Sequence, residues 1–108
     1  MVRQSQETTI ANVTDLDATT AYEIDFEYVA SAAFFAKWTK TAVTGSIIAQ
    51  WSCNGHDWVD IGSSSDINAV LLYAQNGIVN QGYRYLRILV TIGSGKLDTF
   101  KLWYNCKG

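Results

Sequence analysis

Thr44-Gly45-Ser46-Ile47-Ile48-Ala49-Gln50-Trp51-Ser52, then Cys53-Asn54-Gly55-His56-Asp57, then Trp58-Val59-Asp60-Ile61-Gly62 have the pattern of a strand, a turn and a returning strand. Ile47, Ala49 and Trp51 fall on one side and Ile48 and Gln50 on the other, the two-residue period of a β-strand. Asn54-Gly55 lies between two apolar, alternating runs. Both residues tolerate positive φ, which makes the pair the strongest short-range hairpin signal. Two antiparallel strands joined by a tight turn are therefore expected. Trp51 and Trp58 stand either side of that turn, where cross-strand packing pins the register.

Working outward, the same period recurs. Downstream, Ser63–Asp66 reads as a polar loop. Ile67–Gln75 (INAVLLYAQ) admits a short helix or a strand, and the strand is preferred. Asn76-Gly77 and Gln81-Gly82 are turn signals. Tyr83–Ile92 (YRYLRILVTI) is a long strand with apolar residues on both faces, as a central strand has. Gly93-Ser94-Gly95-Lys96 reads as a tight turn, and Leu97–Cys106 as the last strand. Upstream, Phe34–Thr41 is Ala-rich, but its Phe, Trp and Thr content favours a strand, and Ala30–Ala33 reads as a bend. Tyr22, Ile24, Phe26 and Tyr28 alternate with Glu23, Asp25 and Glu27, one face apolar and one wet. Residues 1–19 are polar and Thr-rich, an N-terminal arm with one short strand at Thr8–Val13, leaving residues 20–108 as the domain. About seven or eight short strands with frequent turns predict an all-β protein, a single antiparallel β-sandwich or jelly roll.

Composition agrees with one such domain. The chain has 108 residues, of which 48% are apolar and 17% charged, where about 25% charged is typical. That excludes a disordered chain, and no apolar run is long enough to span a bilayer as a helix. No basic segment followed by an apolar one opens the sequence, so no secretory signal is readable. Four Trp, six Tyr and four Phe are present and proline is absent. Residues 1–27 carry six carboxylates against Arg3, while the remainder carries seven Lys and Arg against four Asp. The sequence pI of about 5.1 sets nucleic-acid binding aside.

Catalytic chemistry finds little support. His56, the single histidine, sits beside the expected turn, where exposure is the default and no orienting partner shields it. Cys53, His56, Asp57 and Asp60, with Cys106 added, match no zinc spacing. Cys53 and Cys106 can pair if the last strand lies beside the one ending at Cys53, or stand as buried or half-buried thiols. Glu23, Asp25 and Glu27 lie along one strand face rather than flanking a cleft. Asn12-Val13-Thr14 meets the glycosylation pattern, a short motif often met by chance. Aromatics offer the sharper alternative. Trp38, Tyr73 and Trp103, with Trp58, are candidates for a subunit interface or for a platform that stacks a sugar ring.

Gln50–Gly62 resembles the "Q-x-S-x-D/N-G-x-x-W-x-x-I/L-G" hairpin of discoidin-like (coagulation factor 5/8 C-type) β-sandwiches. Tyr83-Arg84-Tyr85-Leu86-Arg87-Ile88 is similar to the arginine strand that follows in those domains. The pair of motifs also looks like that of small virion proteins of tailed bacteriophages, and the match covers about residues 44–106. Trp51, Asn54, Gly55, Trp58, Arg84, Tyr85 and Arg87 carry it. The resemblance implies a discoidin-like sandwich and a non-enzymatic virion structural protein, a capsid decoration, cement or minor capsid component assembled in the host cytoplasm. Its implied partners are the major capsid protein and copies of itself, a trimer by analogy. The alternative expectation is a carbohydrate-binding module recognising a surface glycan. No cofactor, metal, catalytic residue, nucleic acid or membrane enters either expectation.

Overall fold

The computed structural model describes residues 6–25, 31–79 and 84–107. The expected strand positions Phe26–Tyr28, the Gln81-Gly82 turn and Tyr83 lie outside them. Among the described residues there is no helix, and six strands form one antiparallel sheet. These are β1 (Gln6–Leu16), β2 (Thr20–Asp25), β3 (Ser31–Ser52), β4 (Val59–Asp66), β5 (Leu72–Val79) and β6 (Tyr85–Lys107).

β3 and β6 pair along their whole length, from Ser31 opposite Lys107 to Ser52 opposite Tyr85. A straight strand of 22 residues would reach about 70 Å. The longest dimension of the molecule is 45 Å, so both strands must bend. The bend falls where the register shifts, between Thr39 and Gly45 on β3 and opposite Ile92–Leu97 on β6. Gly95 there has φ 73° and Gly45 has φ 152°. A Cβ on Gly45 would overlap the Thr91 carbonyl, and one on Gly95 the Ala42 carbonyl. Only glycine lets the two backbones pass this closely while turning.

The bend divides the sheet into two four-stranded halves that face each other. The first half consists of β1, the C-terminal part of β6, the N-terminal part of β3, and β5. The second consists of β2, the N-terminal part of β6, the C-terminal part of β3, and β4. Phe34, Ala36, Trp38, Phe100 and Leu102 of the first half belong to one core with Ile47, Ala49, Leu86, Ile88 and Val90 of the second. Each large side chain so buried contributes about 1.5–3 kcal/mol. Polar atoms are matched across the core as well. Trp38 Nε1 donates to the Ile67 carbonyl at 3.0 Å. Where β4 carries extra residues between Ile61 and Ser65, the Ala49 N–H donates to the Tyr73 hydroxyl oxygen at 3.0 Å. Tyr22 stacks on Phe100 with centroids 5.7 Å apart.

Several expectations are corrected. Phe34–Thr41 and Thr44–Ser52 are one strand, and so are the described parts of Tyr83–Ile92 and Leu97–Cys106; this brings the count to six. Gly93–Lys96 bends a strand instead of reversing it, because β3 bends beside it and keeps its partners. The short strand expected at Thr8–Val13 extends over residues 6–16 as β1 and pairs with Leu97–Cys106. Ser31–Ala33 belong to β3, Ser63–Asp66 to β4, and the backbone of Asn76-Gly77 to β5. Ile67–Leu71 lies outside the strands, with Ala69 and Val70 N–H both donating to the Asp66 carbonyl. Cys53 follows the end of β3, while Cys106 lies opposite Ala32 near its start, so the register holds the two cysteines at opposite ends of β3. Cys53 is a free, exposed thiol, not a buried one.

Candidate functional site

The hairpin signal produces a wired loop of six residues, not a two-residue turn. β3 ends at Ser52 and β4 begins at Val59. Gly55 has positive φ at 79° and Asn54 does not. The Asn54 side-chain carbonyl accepts from the N–H groups of His56 and Asp57 at 2.8 and 2.9 Å. Buried Ser52 Oγ accepts from the N–H groups of Asn54 and Gly55. An asparagine that caps two successive amides widens the turn, as an Asx-type motif does. His56 is exposed in this loop. Among the described residues no group of three His, Cys, Asp or Glu is placed to hold a metal ion.

The other motif residues collect around the same end of the second half. Trp51 is half-buried, opposite Val59 and Leu86. Tyr85 stands opposite Ser52, with the Arg84 guanidinium 5.3 Å from its ring centroid. Arg87 lies over the Trp58 ring at 4.1 Å and its Nε donates to Gln50 Oε1 at 2.8 Å. Gln50 Nε2 donates to Asp60 at 2.7 Å, and Glu23 is the register partner of Arg87. Asp60, Gln50, Arg87 and Glu23 thus make a row across β4, β3, β6 and β2, in which Gln50 links the guanidinium to Asp60, Glu23 is its register partner on the other side, and an indole roofs it.

The outer face of the first half is different. Along β3, Phe34, Ala36 and Trp38 point inward, which leaves Ala33, Phe35, Lys37 and Thr39 facing out. Their register partners on β6 are Asn105, Trp103, Lys101 and Thr99. Phe35 is 43% exposed and its ring lies 5.6 Å from that of half-buried Trp103, tilted by 40°. Ala33, Phe34, Phe35, Trp103 and Asn105 line a concavity of about 460 Å³. A second, of about 230 Å³, is lined by Lys37, Trp38, Thr39, Thr99, Lys101 and Trp103. Trp103 is shared by both. At the neighbouring edge Val70, Leu71 and Leu72 are exposed in succession.

Of the four candidate platform residues, only Trp103 is on this face, and Trp58 is covered by the Arg87 guanidinium on the other half. Trp38 and Tyr73 are core side chains, 1% and 5% exposed. Burial raises the Tyr73 hydroxyl above its ordinary pKa of 10.0, and the Ala49 N–H lowers it by less. Phe35, Lys37, Lys101 and Asn105 are the residues that reading the sequence missed. Their signal was the parity of Phe34–Thr41, where the face without Trp38 holds a lone aromatic followed by a lysine and a threonine.

No family model matches the sequence, and no curated protein does. Solved structures do share its shape. The chain is similar to the PBSX exported protein XepA, with a TM-score of 0.69 and 20% identity. That match covers 95% of this chain and 37% of XepA, so the chain spans little more than a third of that protein. PirA matches with a TM-score of 0.50 and 16% identity over 97% of this chain and 95% of its own. A mitogen of Yersinia pseudotuberculosis matches at 0.48 and 11% identity, covering 98% and 86%. The likeness to XepA and PirA overturns the resemblance to discoidin-like phage capsid decoration proteins drawn from the hairpin and the arginine strand. Those motif residues serve the sheet itself, as loop wiring and the Trp58–Arg87 stack, needs that unrelated β proteins share. What the chain has in common with XepA and PirA is an all-β fold.

Proposed function

We propose that this protein is a non-enzymatic binding module that holds a surface glycan on the outer face of the first half-sheet. The observation that carries the reading is exposed Phe35 packed on half-buried Trp103 at a concavity of about 460 Å³. A pyranose offers apolar C–H faces to an aromatic ring and hydroxyls to polar groups around it. Asn105 borders the concavity, and Lys37 and Lys101 occupy the next row. The pair adds only the modest stability of a cross-strand aromatic contact to the isolated chain, about 0.2–1 kcal/mol, and leaves apolar surface for a ligand to cover. The test is an array of neutral and charged surface glycans, followed by titration of tryptophan emission. Wild-type protein binds at least one glycan class and Trp103→Ala does not; an array without a hit removes the reading.

The run Val70–Leu72 favours a second reading, self-association, because three consecutive exposed aliphatics on one edge are costly in water. Sedimentation of wild type against Leu72→Lys tests it. A wild-type protein that stays monomeric at high concentration ends it.

A further inference from the structure

We propose that the glycan is acidic: its sugar ring stacks on Trp103 and Phe35, and its carboxylate sits between Lys37 and Lys101. This rests on the reading of the face as a sugar platform and names the class of sugar it takes.

Lys37 and Lys101 are direct cross-strand partners, both exposed. Opposed residues on one face have Cβ atoms about 4.5–5.5 Å apart, and like charges so placed destabilise the pair. Elsewhere on this sheet a cation shares its row with acids. Arg87 lies in a row between Asp60 and Glu23, with Gln50 bonded to both Asp60 and Arg87. The lysine row has no such provision. Its other described members are Asn12 beyond Lys101 and Leu72 beyond Lys37, so the row reads Asn12, Lys101, Lys37, Leu72 with no carboxylate. An anion arriving from outside relieves the repulsion that the chain itself leaves in place.

The lysines also border a space for that anion. They line the smaller concavity together with Thr39 and Thr99, whose hydroxyl oxygens are 2.7 Å apart. One of those hydroxyls donates to the other, and the second retains a proton to offer an acceptor. Trp103 joins this concavity to the aromatic one. Successive outward rows on a strand are separated by about 6.6 Å. That is the reach from the centre of a stacked pyranose to a ring carboxylate met by a lysine ammonium. Two ammoniums suit a carboxylate as point charges without demanding a fixed bidentate geometry.

The experiment uses the full chain and three probes: oligogalacturonate, its methyl ester, and dextran sulfate. Wild-type protein binds oligogalacturonate at least tenfold more tightly than the ester, and raising salt from 50 to 500 mM erodes that preference. The double variant K37Q/K101Q, whose melting point is at or above that of wild type because the opposed charges are gone, binds both equally and at the level of the ester. Trp103→Ala weakens the acid and the ester together. Equal affinity of wild type for acid and ester overturns the acidic-sugar inference and leaves the glycan reading standing. Absence of binding to any of the probes or array glycans removes both. If dextran sulfate binds as tightly as oligogalacturonate and Trp103→Ala does not change it, the face is a plain polycation patch and the inference fails.

Discussion

The same two strands make two outer faces with opposite habits. Over the second half of the sheet, Asp60, Gln50, Arg87 and Glu23 form a row in which the one cation shares its line with two acids, and Trp58 lies on the guanidinium. Over the first half, exposed Phe35 packs on half-buried Trp103 and two exposed lysines stand side by side. Both faces belong to β3 and β6, so neither the backbone nor the topology explains the difference. It lies in side chains that either satisfy one another or wait for something else. A face complete in itself serves stability, and an incomplete one is where a ligand gains most by arriving.

The comparison breaks most completely at the bend that separates the halves. Gly95→Ala drives a methyl group into the Ala42 carbonyl at a positive φ, and a cost of about 3 kcal/mol or more follows. Urea denaturation followed by tryptophan emission measures it, and a loss below about 1 kcal/mol would show that the strands do not need glycine there. Next comes the seam between the halves. Tyr73→Phe keeps the ring and orphans the Ala49 N–H, which costs about 1–2 kcal/mol.

The faces themselves are then set against each other. Arg87→Ala removes the partner of both Trp58 and Gln50, lowering stability by about 1–2 kcal/mol and shifting Trp58 emission as the indole loses its cover. Phe35→Ser on the open face costs only about 0.5 kcal/mol, yet it abolishes glycan binding. Equal stability losses at the two positions would erase the distinction. The smallest effect appears only in alkali. Burial raises the Tyr22 and Tyr73 hydroxyls above 10.0, so the folded chain holds those protons more tightly than the unfolded one. Their contribution is intact below pH 10 and fades as pH climbs through the raised values. Denaturation midpoints at pH 9 and pH 11.5, with absorbance at 295 nm, report it.

Much of this was legible in the residues. Alternation placed Ile47, Ala49 and Trp51 on one side of their strand and Gln50 on the other, and Tyr22 and Ile24 opposite Glu23. Strand continuity was not legible. Gly93-Ser94-Gly95 spells a reversal as readily as a bend, and what decides between them is Gly45, a residue distant in sequence whose backbone lies alongside. Trp38 and Trp103 illustrate the same limit for the site. Both are aromatics on strands, and which of them faces water depends on the side from which the other half-sheet closes. Lys37 and Lys101 are unremarkable until the register sets them opposite each other.

The pairing of β3 with β6 has a consequence for how the molecule is made. β1, β2 and β3 all take β6 as a hydrogen-bonding neighbour, and none of the three pairs with another of that set. Nearly every contact that matters therefore joins residues far apart along the chain. Folding of such a topology is slow, because long loops must close before any reward is collected. Until β6 has been synthesised, β1 and β2 have no pairing partner and β3 has only β4 and β5, so a nascent chain carries apolar, strand-forming segments with open edges. β1 and β2 stay unpaired for longer than the strands of a local hairpin would. The chain is correspondingly dependent on whatever keeps such edges apart in the interval.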